Sequence, residues 1–350
     1  MKPFKTLLIG FIIGGLFAGA VVFAWMKGLL EESSKQQQLE LKEQTGMIEA
    51  SRNSGLVRML ANVLDLIDNE LQDNPKRMLS DVTIARVAAL AYAFKPYTHP
   101  EDDSLSARML SPEKGELLLA LSALKLDSGS LHKIFYSTSF AFADLRDADL
   151  GGADLQGIDL SGAYLRGANL KGANLTAANL SFADVWSANM SNASLMDANL
   201  KRAEVSWADL NGADLRGADV TEANLISSQL RKADLRGSIL RLTDFTGAFL
   251  NEARLDSTDM FRTTLRRANL EGASLTKADM NLANAVEANL TKVNLAGTNL
   301  SDVVVAEGNW LKLLNDWQVS GAEVIGDSYK VVDELSTGRH LYQLKVKSEK

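Results

Sequence analysis

Three histidines, no cysteine and 44 acidic side chains are what this 350-residue chain offers for catalysis or metal binding. His99, His132 and His340 lie in three separate stretches, without the HxxxH spacing or neighbouring carboxylates that would gather a metal ion. The absence of cysteine excludes disulfide staples, thiolate zinc sites and cysteine nucleophiles. No glycine-rich phosphate loop, nucleophile elbow or kinase signature occurs. The aspartates recur at one place in a repeat and so read as turn-forming groups, not as paired acids. No catalytic residue, cofactor or metal is implied, and the chain does not read as an enzyme.

Contact chemistry remains. Tyr164, Trp186, Trp207 and Ile226 stand about 20 residues apart, and large rigid aromatics dominate the energetics of many interfaces. They form a candidate protein-binding strip, whose alternative reading is a ladder that only shields itself or packs on a second copy. Residues 231–267 hold eight bases against five acids, whereas residues 144–224 hold twelve acids against six bases. Arg241, Arg262, Arg266 and Arg267 form a candidate basic patch in the first of these stretches. A solvated surface is the simpler reading of it. The formal net charge of −7 gives no reason for a general affinity for nucleic acid.

Both groups depend on a periodic scaffold. Stepping by five from Phe140 to Val305 gives 34 positions, of which 33 hold a large apolar residue, Ala285 being the exception. Two residues before each, 24 of the 34 are Ala; one residue before, 23 are Asp or Asn. A period of five fits neither a helix nor a strand. Repeated without a slip of phase, it means units that bend alike and stack, with successive turns pairing in parallel about 4.8 Å apart. The large residue and the small one two before it point inward, and the other three positions face water. The Asp/Asn slot suits side chains that bond nearby backbone. All five prolines lie at or before position 112, as expected if nearly every N–H beyond it is needed by an adjacent coil.

Units such as Ala148-Asp149-Leu150, Ala168-Asn169-Leu170-Lys171-Gly172 and Ala213-Asp214-Leu215-Arg216-Gly217 resemble the pentapeptide-repeat family over about 138–305. The resemblance implies an all-β solenoid, a right-handed quadrilateral β-helix with four units per coil. Its 34 units would then make 8.5 coils, a rod of about 40 Å. The lead-in from Gly115 to Leu131 is similar to that of membrane-anchored members.

The elements around the rod follow from patterning. Leu7–Met26 is an uncharged, almost wholly apolar run of 20 residues, long enough to cross ~30 Å of hydrocarbon. Lys2 and Lys5 precede it, which places the bulk of the chain on the outer side of the plasma membrane. Ala18-Gly19-Ala20 resembles a cleavage site, so a signal peptide is the competing reading. Gly10/Gly14 and Gly15/Gly19 are GxxxG spacings that would suit a homodimer. Three short amphipathic helices are expected next. The first runs through Leu56 and Ile67, the second is capped by Ser80, and the third opens at Ser111-Pro112 and breaks at Asp127-Ser128-Gly129. Tyr97 to Ala107 reads as a loop. Leu131, Ile134 and Phe135 would plug the first coil, and a helix bearing Trp310 and Trp317 plus a hairpin would close the last. The expected organisation is an anchor (1–28), a helical stalk and N-terminal helical module (29–135), the rod (136–306) and a C-terminal cap (307–350).

The expected function is a non-catalytic, membrane-tethered scaffold that presents the rod for protein binding. The resemblance also implies an alternative, a DNA-mimicking regulator of an enzyme such as gyrase. The anchor and the basic patch both argue against it. A passive structural spacer in the envelope is a third reading, one that needs neither surface feature.

Overall fold

A five-residue unit leaves no N–H idle if its donors are divided among its own turn, a side chain and the coils above and below. The computed structural model, which describes residues 55–98, 109–336 and 339–347, shows this division. In the unit 168–172, Ala168 N–H closes a turn on Leu165 C=O at 3.0 Å. Asn169 N–H bonds Ala148 C=O on one neighbouring coil at 2.8 Å, while Leu170 and Gly172 N–H bond Asn189 and Ser191 C=O on the other at 2.7 and 2.9 Å. Lys171 N–H donates to the Asn169 side chain at 3.2 Å. Every slot needs its N–H, which is the physical reason for the missing prolines.

Bridges between coils are parallel and join residues 20 apart; on one face the column runs Asp144, Tyr164, Asp184, Glu204 and onward to Val304. Each coil therefore holds four units and has four faces. The large residue is buried along the whole rod, and so is the small residue two before it except at Thr138, Ala153 and Ala288, which are partly buried. At each corner the second residue after the large one has positive φ, which with the closing hydrogen bond is the signature of a type II turn. All 33 corner positions from 142 to 302 share it, and 22 of them are not glycine.

The ends are covered by elements that supply the missing coil. Helix α1 occupies residues 55–71 and α2 Asp81–Ala93, with Ser80 Oγ accepting from Thr83 N–H at 3.3 Å as its N-cap. Strands β1 (Tyr97–Thr98) and β2 (Met109–Leu110) pair antiparallel, so the stretch expected to be loop begins as a strand. Helix α3 (Pro112–Ala123) is capped by Ser111, which itself bridges Ala143 and stands in for the strand below the first coil. Where the sequence suggests a break, the structure has a further helix, α4 (Ser128–Ser137). Asp127 starts it, accepting from Gly129 and Ser130 N–H at 3.0 and 3.2 Å. Its Leu131, Ile134 and Phe135 are buried, and the Phe135 ring meets Phe140 edge-on at 5.9 Å.

At the far end β3 (Val304–Val305) continues the last coil. Helix α5 (Trp310–Asp316) buries Trp310, whose ring meets Trp317 edge-on at 6.4 Å, and the segment after it gives Trp317 and Ser320 C=O to Lys292 and Leu295 N–H. A short helix that sequence patterning did not indicate, α6 (Ala322–Ser328), leads into β4 (Tyr329–Ser336) and β5 (Arg339–Val346). The sheet order is β3-β5-β4, so the hairpin pairs with the last coil through β5. The candidate membrane run Leu7–Met26 lies outside the described residues; among those described, no helix is long and apolar enough to cross a membrane.

Candidate interaction surface

The sequence treats Tyr164, Trp186, Trp207 and Ile226 as one vertical ladder of outward residues. Their spacings are 22, 21 and 19, whereas a vertical column needs 20, so the coil places them in three slots, with only Trp186 and Ile226, 40 residues apart, in one column. Tyr164 stands in the Asp/Asn slot and bridges Asp144 and Asp184. It is only 6% exposed, which corrects the expectation of an outward ring. Its ring is covered by the guanidinium groups of Arg146 and Arg166, whose central carbons lie 5.2 and 5.0 Å from its centroid. Arg166 also sits 5.8 Å from the Trp186 ring and donates through Nε to the buried Asp184 carboxylate at 2.9 Å. Arg146 is held by a bidentate pair with Asp144, at 2.9 and 2.6 Å. The result is an Arg–Tyr–Arg–Trp stack over three coils, each guanidinium fixed by a carboxylate.

Trp186 and Trp207 do face solvent, 44% and 60% exposed. Trp207 occupies a left-handed corner at φ 62°. Ile226 is half-buried, and its C=O accepts from Trp207 N–H at 3.1 Å. The strip is therefore staggered: two exposed tryptophans, a buried tyrosine beneath arginine and an isoleucine at its upper end, in the column of Trp186.

Two of the four arginines of the basic patch are paired with carboxylates. Arg241 Nη1 lies 3.2 Å from Asp259 Oδ2, and Arg267 Nε lies 2.5 Å from Glu287 Oε2, which raises the Arg267 pKa further. Arg241 and Arg262 flank the Phe261 ring at 4.9 and 5.3 Å. Arg262 and Arg266 carry no ion pair among the described residues. On another face, Asp214–Arg216 and Asp234–Arg236 are bidentate, with Arg254 3.6 Å from Asp234. The side-chain bond from Arg216 holds the Asp214 carboxyl below its ordinary range.

One surface was missed by the sequence reading. On a single corner the left-handed positions read Phe142, Gly162, Phe182, Arg202, Glu222, Leu242, Arg262, Leu282 and Asp302. Four of these nine are large and apolar, whereas the other three corners have only Trp207 among 24. Phe142 and Phe182 are 44% and 58% exposed, and Leu242 is exposed as well. The Phe142 ring lies across Gly162, where a Cβ would come within 2.7 Å of it. With Met109, Arg202 and Glu204 these rings line a groove of about 400 Å³. The available signal was the 20-residue phase, visible once the second outward slot is read in steps of 20.

Of the three histidines, His132 has Nε2 3.5 Å from Asp154 Oδ2; His99 and the His340 side chain lie outside the described residues. Among the described residues, no three His, Asp or Glu side chains are grouped to hold a metal ion.

Comparison with known proteins agrees with this architecture. The family model described as pentapeptide repeats matches in eight copies, including residues 143–181, 178–217, 206–241, 223–262, 238–276 and 263–302. No match was found among curated protein sequences. Among solved structures the chain is similar to HetL, a pentapeptide repeat protein involved in heterocyst differentiation regulation in the cyanobacterium Nostoc. The identity is 30%, over 49% of this chain and 84% of that one, at a TM-score of 0.25. It is similar to a pentapeptide repeat protein of the Arabidopsis thaliana thylakoid lumen, at 36% identity over 29% and 66% of the two chains and a TM-score of 0.21. It is also similar to QnrB1, a plasmid-mediated fluoroquinolone resistance protein, at 14% identity over 51% and 96% and a TM-score of 0.29. The repeat, the family model and the 30% sequence identity over most of HetL agree: the chain belongs to the pentapeptide-repeat family, whose fold is a right-handed β-helix.

Proposed function

We propose that this protein is a non-catalytic interaction scaffold, tethered to the plasma membrane through Leu7–Met26 with its rod on the outer side, and that it binds a protein partner. The observation that carries the reading is the pair of exposed rings, Trp186 and Trp207, beside the Arg146–Tyr164–Arg166 stack on a rigid face. Tryptophan, tyrosine and arginine are the side chains from which interface hot spots are built, and here their geometry is fixed before any partner arrives. The DNA-mimicking alternative has less support, because so many of the rod's carboxylates are already bound to arginine or lysine.

Replacing Trp186 and Trp207 together with alanine should sharply weaken partner capture from membranes when the intact protein is the bait. The melting temperature should hardly move, since neither ring belongs to the interior. A large fall in melting temperature would instead make the rings structural, and unchanged capture would remove the strip as a binding site. The topology is tested separately: a phosphatase fused after Lys350 should be active only if that end is exported. Activity of a cytoplasm-only reporter at the same point would reverse the orientation.

A further inference from the structure

Bulky side chains are poorly suited to left-handed corners, and an exposed ring there adds little to folding. The corner running from Phe142 to Asp302 nevertheless collects two phenylalanines and two leucines. Its positions repeat every coil, about 4.8 Å apart, so any partner lying along it meets a ruler of side chains. Its eight positions from Phe142 to Leu282 read Phe, Gly, Phe, Arg, Glu, Leu, Arg, Leu, with Asp302 beyond them on the last coil.

This order is complementary to its own reverse. From it we infer that the corner is the interface for a second copy of the chain, lying antiparallel about a two-fold axis that crosses between Arg202 and Glu222. In that register Phe142 faces the second copy's Leu282, and Phe182 faces the second copy's Leu242. Arg202 faces the second copy's Glu222. Gly162, with the Phe142 ring laid across it, faces the second copy's Arg262, the long cation entering the groove beside the ring. Each contact occurs twice, as an isologous interface requires.

The neighbouring registers are excluded by charge. Moving the axis half a coil one way sets Arg202 against the second copy's Arg202; half a coil the other way sets Glu222 against the second copy's Glu222. Within one chain Arg202 Nε already meets Glu222 Oε2 at 2.6 Å, so in the pair the four groups close into an alternating square. The strip spans about 34 Å and is only a few side chains wide, which places it at the small end of specific interfaces.

The chain contains no cysteine, so the register can be read by disulfide formation in the intact protein. One preparation carries Phe182→Cys and another Leu242→Cys. Mixed under mild oxidation, they should form a covalent dimer about tenfold faster than either alone, since like positions stand three coils apart. Arg202→Glu in the first preparation alone should lower that yield about tenfold, and Glu222→Arg in the second alone likewise. With the first carrying Arg202→Glu and the second Glu222→Arg, cross-linking should recover. Only in that mixed pair are opposite charges restored on both sides of the axis, although the intrachain pair is broken in both copies. Equal cross-linking in all combinations, dominance of the like-with-like reactions, absence of cross-linking in the mixture, or yields indifferent to the charge variants would each overturn the proposal.

Discussion

Ala183→Leu should cost ~1–3 kcal/mol or more and lower the melting temperature by about 2–5 °C or more. The alanine is fully buried, in the slot that converges on the interior. Ala163 below and Ala203 above are buried in the same column, so the added bulk meets two neighbouring coils that are already full. Nor can the backbone withdraw. Ala183 N–H is held by Leu180 C=O at 3.0 Å, and Ala183 C=O accepts from Glu204 N–H at 2.9 Å. Later coils put Thr243 and Thr263 in this column, each with its hydroxyl bonded to a backbone carbonyl, at 2.8 and 2.6 Å. That is the extent of the growth seen there until Val303 on the last coil. Ser181→Leu, two residues away and half-exposed, should stay within about 0.5 kcal/mol. Thermal melts of the two variants check the inward register directly; if they coincide, the register is wrong.

The rod was legible in the sequence because its rule is local and repeated: one slip of phase would bury a polar slot, and none occurs. The helical lead-in was legible only where a single residue carries the signal, as Ser80 and Ser111 do. Asp127 carries the same signal, but Gly129 beside it reads equally well as a stop, and only the packing of Ile134 and Phe135 on the first coil decides for a start. Sequence spacing located the aromatic strip but not its exposure. Whether Tyr164 is open or covered depends on Arg146 and Arg166, which lie one coil below it and two residues after it, and nothing in a spacing of 22 reveals them. The apolar corner was hidden for the opposite reason. Phe142, Phe182, Leu242 and Leu282 are inconspicuous in a period of five and align only at a period of 20.

The contrast between two glycines separates steric from conformational constraint. Gly152 sits at a left-handed corner, φ 67°, and a Cβ there would meet nothing within 4 Å. Since 22 of the 33 corners carry other residues, including Asn192, Gly152→Asn should lower stability by no more than about 1 kcal/mol. Gly115 has no such conformation, being in the first turn of α3, and its substitution should be far more damaging. A Cβ there would lie 2.0 Å from the carbonyl oxygen of Asp144, a backbone atom of the first coil. The helix cannot back away without breaking the seal it makes. Ser111 N–H donates to Phe142 C=O at 2.8 Å, and Asp144 N–H donates to Ser111 C=O at 3.1 Å, so the start of α3 serves as the strand beneath that coil. Gly115→Ala should therefore cost about 3 kcal/mol despite the better helix propensity of alanine. Hydrogen exchange should show the loss first at Asp144 and Ser111, because coils of a solenoid depend mainly on their neighbours. Protection at those two amides equal to that of the unsubstituted protein would show that α3 is not what closes the rod.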